Sequence, residues 1–383
     1  MSLHAKAQYD CSLLPVDIPP LAIESADDAL ITLYEDKFPP ALELEMEKLY
    51  SNLFSSFARF RAYGNVEKIN IFTIQKNGIT LSIIAFVRSG KKIQILNEQI
   101  EFSQWEINKF SAHIFSYFDG VSVIEFKAIN IDIRELNYPL NALHFTNDVI
   151  VSCSNSEQEY LSKLGKSTRQ NVKHSLKFIK RDFPTFECQV HEKTECSREL
   201  FQEIIGFNRA RMSEKGKVSG INLVEEGRIW EMLQSHGFVV AIFVDGKVCA
   251  GTISFRFDSN YFVRVNAHNS DFNEYGLGIL ACYLAICECI KRRGKEVHFL
   301  WGHEEYKFRL LGKERNFDTV KIYRTKFIFL FNGANILKDI LFFRIRVMRI
   351  WISNPENSNK FMPKLAKGIR YALNRVRGRQ QLI

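Results

Sequence analysis

The sequence predicts an α/β protein of two similar halves, each a mixed, mostly antiparallel sheet flanked by helices, with a basic helical tail at the C-terminus. Three observations predict it. The apolar spacing switches from a helical period to a strand period and back in each half. Each half has a tight hairpin signal, Asn77-Gly78 in one and Asp245-Gly246 in the other. Both halves run in one order: helix, hairpin meander, helix, strand. Residues 1–150, 151–328 and 329–383 are the expected units.

The first thirty residues read as irregular, with Pro15, Pro19 and Pro20 opposing helix. Leu42, Met46, Leu49, Leu53 and Phe57 put a helix over 41–63. Strands follow at 69–74, 79–87 and 92–96, then a helix over 102–118 and a strand at 121–128. A basic amphipathic helix is expected over 160–181, with Leu161, Leu164, Val172, Leu176 and Ile179 on one face. Helices at 198–213 and 225–235 precede strands at 238–245, 247–257 and 261–268. The chain continues as helix 277–293, strand 296–301, short helix 304–311 and strand 319–329.

The 383 residues carry a net charge of +9, spread unevenly. From Lys321 onward there are fourteen Lys and Arg against Asp339 and Glu356, a net +12, so the rest is slightly acidic. Such a block implies an anionic partner: a membrane surface, a lipid-linked sugar phosphate or a nucleic acid. Its apolar residues, Leu337, Ile340, Leu341, Phe343 and Met348 among them, fit either an interfacial helix or packing on the body. Charges interrupt it too often for a membrane span. The eight cysteines form no C-x-x-C pair, so no metal is expected and a reducing compartment is. The N-terminus lacks the apolar run of a signal peptide. A cytoplasmic protein is expected, peripheral on the inner membrane face if the tail binds lipid.

Four motifs come in a fixed order: Ser167-Thr168-Arg169-Gln170-Asn171; Asp245-Gly246-Lys247-Val248-Cys249-Ala250-Gly251; Leu277-Gly278; and His298-Phe299-Leu300-Trp301-Gly302-His303-Glu304-Glu305-Tyr306-Lys307. From about Tyr160 to Gly312 the chain thereby resembles the GNAT-type acyltransferases of the CelD-like family of cellulose and exopolysaccharide biosynthesis. More distantly it resembles the Fem peptidyltransferases. The resemblance implies two GNAT-like halves and an N-acyltransferase using acyl-CoA, acetyl-CoA foremost, on an amino sugar or carrier-linked sugar. Two readings compete with it: a Fem-like transferase using aminoacyl-tRNA, and a non-catalytic GNAT-fold protein at the membrane surface. Two positions depart from the family pattern. Leu277 replaces a proline, and His298 replaces an aspartate and either acts as a base or packs.

Gly276, Leu277 and Gly278 open a helix whose free amides and positive dipole end suit a pyrophosphate. The resemblance makes the last motif catalytic. Lys307 would stabilise charge on the acyl oxygen, Glu305 would serve as the base and Tyr306 would position substrate. The plain alternatives are a Lys307–Glu304 pair and a dipole-stabilised Glu305. Arg264, Asn266 and His268 alternate with apolar residues, which puts them on one sheet face, toward an acceptor or toward solvent. Trp301, His303 and Arg169 complete the expected substrate contacts.

Overall fold

The computed structural model describes residues 21–24, 29–64, 66–134 and 136–353. Strands β1 (Leu21–Glu24) and β2 (Ala29–Tyr34) lead into helices α1 (Pro40–Tyr50) and α2 (Phe57–Tyr63). The single helix expected here is broken because Ser51 is left-handed, at φ 44°, and ends α1. Ser56 then starts α2 by accepting a hydrogen bond from Arg59 N. Strands β3 (Asn70–Lys76), β4 (Ile79–Ser89) and β5 (Lys92–Ile95) form the first meander. Helix α3 (Gln104–Tyr117), opened by a Ser103–Glu106 capping box, leads to β6 (Val123–Ile129) and the long β7 (Leu140–Ser152).

The second half begins with α4 (Glu157–Lys163) and α5 (Lys166–Asp182), then β8 (Glu187–Glu192), α6 (Arg198–Glu214) and α7 (Leu223–His236). Its meander is β9 (Gly237–Val244), β10 (Lys247–Phe257) and β11 (Asn260–His268). Helix α8 (Leu277–Lys291), β12 (Glu296–His298), α9 (Glu305–Arg309), β13 (Lys313–Tyr323), α10 (Lys326–Phe331) and α11 (Gly333–Ser353) complete it.

All thirteen strands form one sheet, in the order β1-β2-β3-β4-β5-β6-β13-β7-β12-β11-β10-β9-β8. Each half contains one parallel pair bridged by a helix: β5 with β6 across α3, and β11 with β12 across α8. The last strand of each half is exchanged. β7 leaves β6 and pairs with β12, while β13 leaves β12 and pairs with β6, and the two exchanged strands pair with each other. The cores follow this exchange. Val320 and Ile322 of β13 pack with α3 of the first half, and Val149 and Val151 of β7 pack with α8 of the second. Cys282, Cys287 and Cys289 of α8 are buried among apolar side chains, and burial pushes all three thiols up, Cys282 to about 12.

Several expectations are corrected. β1 lies inside the stretch read as irregular, and β2, β7 and β8 were not anticipated. The helix expected over 160–181 is two helices with a break at Leu164 and Gly165. The strand expected at 296–301 stops at His298, because Leu300 adopts φ 58° and leaves the extended region. The strand expected at 319–329 is Lys313–Tyr323. Thr325 then caps α10 by accepting from Ile328 N, so residues 326–329 are helical. The expected tail is described as far as α11, and residues 354–383 lie outside the described residues.

Candidate active site

Strand β11 contains the feature that organises the site. Along β10, Ile253 faces Val265 and Ser254 faces Val263, so Arg264 is an extra, unpaired residue, a β-bulge. The bulge reverses the alternation. Val263 packs in the core with α8, whereas Val265 and Ala267 pack in the opposite core with α6 and α7. The expected single row of Arg264, Asn266 and His268 is therefore split. Arg264 turns to α7, its Nη2 2.7 Å from Glu225 Oε1, with its guanidinium 5.7 Å from the Trp301 ring. Asn266 and His268 turn to the start of α8. Asn266 Nδ2 donates to Gly278 O at 3.0 Å, and His268 Nε2 lies 2.9 Å from Asn273 Oδ1.

The sheet opens at this place. β11 and β12 pair only from Asn260–Glu296 to Phe262–His298. Phe299 N then donates to Val149 O on β7, and Leu300 and Gly302 (φ 105°) turn the chain away. β11 runs on to His268 with no β12 beside it. The N-terminus of α8 faces this opening. Its cap, Gly276, is left-handed at φ 61° and no side chain caps the helix. An added Cβ at Gly278 would lie 3.0 Å from His268 Nδ1, so only glycine leaves that surface open.

Residues that the sequence reading overlooked complete this side. Arg211 and Lys215, at the end of α6, line a cavity of about 320 Å³ with His268, Asn269, Ser270 and Asn273. The neighbouring Arg211 charge, with burial second, pushes the Lys215 pKa down against a smaller upward pull from Glu304, and Glu214 lines the same cavity. Burial pushes His268 below its ordinary value of 6.5, which leaves a neutral imidazole at pH 7. Its Nδ1 and Asn266 Oδ1 are buried acceptors without a hydrogen-bond partner among the described residues. Two orphaned acceptors, an uncapped helix start and two cations surround one opening, which fits a ligand bearing both amides and phosphates.

The last motif is arranged differently from expectation. Lys307 is only 3% exposed. Its Nζ lies 2.8 Å from Trp301 O, 3.2 Å from Gly302 O, 3.5 Å from Leu300 O and 2.9 Å from Glu304 Oε2. An ammonium has three N–H donors, so none is left for an acyl oxygen, and Lys307 is a brace for the turn. The Glu305 side chain is 78% exposed and pairs with Arg309 one helical turn on. Tyr306 does reach the opening. Burial pushes its pKa far up, with the Asn266 side chain beside it pulling slightly the other way, and its ring packs edge-on to Phe299.

Trp301 is half-exposed and sits between Arg264 and Phe54 of the first half. His303 is exposed and turned toward Glu314 and Phe308. Arg169 donates to Ser162 O, tying α5 to α4. It precedes Ser175, the α5 residue against Gly276, by six positions, about 9 Å of helix rise.

Across the sheet from the α8 opening, the first half supplies two further side chains. Tyr63 donates to Glu225 Oε1 at 2.5 Å. The Arg59 guanidinium lies 4.3 Å from the Tyr63 ring and 4.9 Å from the Phe54 ring, with no carboxylate paired to it among the described residues. Burial pushes its pKa down. The i, i+4 spacing of Arg59 and Tyr63 was visible in the sequence; their meeting with α7 was not.

Residues 167–308 match the family model for an acetyltransferase (GNAT) domain. The chain carries a GNAT-type acetyltransferase domain. The match runs from α5 to α9 and contains the bulge, the opening and the α8 start. Among solved structures, FemX is similar with a TM-score of 0.55 at 8% identity, over 74% of this chain and 96% of that one. That likeness shows the shared fold extending beyond the GNAT domain into the first half. L-PGS from Bacillus licheniformis (TM-score 0.42, 12% identity, 64% of this chain and 81% of that one) is also similar. So is a tandem GNAT protein from the clavulanic acid biosynthesis pathway (0.37, 5%, 77% and 98%). No curated protein matches the chain.

Proposed function

We propose that this protein is an acyl-CoA-dependent N-acyltransferase acting on an amino sugar or carrier-linked sugar of surface-polysaccharide or cell-envelope biosynthesis. The observation that carries the proposal is the uncapped α8 start facing the free edge of β11 beside Arg211 and Lys215. Residues 263–268 offer about 17 Å of unpaired strand edge, at about 3.3 Å per residue, for the amides of the donor's pantetheine arm. The helix start and the two cations then receive its phosphates.

The thioester is already reactive, so the protein has to align it with an amine and move protons. The new N–C bond forms as the C–S bond breaks. Tyr306, kept protonated by burial, offers a hydrogen bond to the departing thiolate, which then takes its proton from solvent. On the other side of the sheet Glu225, held by Tyr63 and Arg264, takes the proton that the amine sheds. Arg59 and Arg264 leave this side with excess positive charge, which suits an acceptor bearing phosphate or carboxylate, and Trp301 offers a ring face for a sugar.

Isothermal titration with acetyl-CoA tests the reading. The parent protein binds, and Gly278→Trp, which fills the space against His268, loses at least about tenfold in affinity, or about 1.4 kcal/mol. No binding at millimolar acetyl-CoA would overturn the donor assignment and favour aminoacyl-tRNA, whose binding weakens steeply with salt. With an amine acceptor found by screening amino sugars, Glu225→Gln lowers kcat roughly 100-fold and leaves acetyl-CoA affinity unchanged. An unchanged kcat removes Glu225 from the mechanism.

A further inference from the structure

Helices α10 and α11 carry two apolar faces, and only one is used. Ile336, Ile340 and Phe343, all partly buried, recur at helical spacing, and Asp339 between them accepts a hydrogen bond from Lys321 of β13 at 2.5 Å. The Phe343 ring meets His144 of β7. The opposite face is open. Phe327 (67%), Leu330 (73%), Phe331 (73%), Leu337 (68%), Leu341 (59%) and Met348 (53%) are exposed. Leu337, Leu341 and Met348 recur at i, i+4 and i+11, one stripe along α11. Lys326, Lys338 and Arg344, also exposed, lie among them.

We infer that this face docks the protein onto an anionic lipid surface. Two properties select that occupant. The apolar stripe needs a partner that removes it from water, which the phosphate backbone of a nucleic acid does not do. The charge selects against a second copy: the +12 block from residue 321 onward would meet another of the same sign, whereas anionic headgroups neutralise it. No described helix is long and apolar enough to cross a membrane, so these helices lie in the interface. The inference does not depend on the acyltransferase reading.

Co-sedimentation of the full chain with vesicles of phosphatidylglycerol and phosphatidylcholine tests it. The protein binds these vesicles, binds pure phosphatidylcholine weakly, and dissociates as salt rises from about 0.1 M to about 1 M. Leu337→Glu with Leu341→Glu, both on the exposed face, lowers binding at least about tenfold. Should that variant lose the parent's cooperative melt, Lys338→Gln with Arg344→Gln replaces it, with binding reduced several-fold. Undiminished binding by a folded variant would overturn the assignment, as would no binding by the parent. A parent dimer that the leucine variant converts to monomer, with no vesicle binding, would give the face to a second copy.

Discussion

Replacing His298 by leucine lowers folding stability by about 3–5 kcal/mol, the usual cost of removing one partner of a buried ion pair. His298 and Asp148 are 3% and 1% exposed, with Nδ1 2.7 Å from Asp148 Oδ2. The imidazole lies flat against Phe262, ring centres 4.2 Å apart, and Asp148 Oδ1 already lacks a hydrogen-bond partner among the described residues. Leucine would leave a carboxylate buried without a counterion at the seam where β12 meets the exchanged β7. Leucine at both His298 and Asp148 recovers most of the loss, because the desolvated charge goes with its partner. The pH dependence gives a second readout. Burial alone would push the His298 pKa down, but Asp148 and Glu296 outweigh it and the net shift is up. The folded state thus holds this proton more tightly than the unfolded chain does. The stabilisation is full below the unfolded value of about 6.5 and fades as pH rises through the raised folded value. Glu296 moves the other way, to about 2, first through its hydrogen bond with His298. Its share is present above the unfolded value of about 4.3 and is lost as pH falls toward 2. Urea melts across this range therefore peak between these limits in the parent, and His298→Leu removes the alkaline decline. A melt of His298→Leu that matches the parent at every pH would show that the pair contributes nothing.

His298 also marks the boundary of what the sequence discloses. Local signals were readable. Asn77-Gly78 and Asp245-Gly246 form hairpin turns in which all four residues have positive φ. The α8 start was legible from its glycines, and β10 from the Asp245-Gly246 turn that precedes it. The exchange of β7 and β13 was not, because each strand's pairing is fixed by partners more than a hundred residues away. Without β7 in place, Asp148 was invisible, and His298 looked like a missing carboxylate when the carboxylate stands on the adjacent strand. The Arg264 bulge hid in the same way: period two is the default for a strand, and one unpaired residue sends everything beyond it to the other face. Glu225 and Arg59 read as ordinary surface types on helices until the two halves bring them together.

Lys307 is the residue whose two expected roles, catalyst and partner of Glu304, differ most in consequence, and Lys307→Met distinguishes them by about 2–4 kcal/mol of stability. Methionine keeps the length of the stem and removes only the ammonium. Leu300 O retains Val149 N at 3.3 Å, but Trp301 O and Gly302 O lose their donor, at about 1–2 kcal/mol for each of these part-buried carbonyls. Glu304, 57% exposed, loses an ion pair and adds little. The strained turn depends on those carbonyl contacts: Leu300 at φ 58° and Gly302 at φ 105° hold Trp301 against Arg264 only while the chain is pinned from below. The substitution therefore lowers the melting temperature and loosens the acceptor side together. It leaves acetyl-CoA affinity close to the parent's, since Gly278, Arg211 and Lys215 are untouched. A lysine acting on the acyl oxygen would give the opposite pattern, an unchanged melt with a collapse in kcat alone, and that outcome would return Lys307 from brace to catalyst.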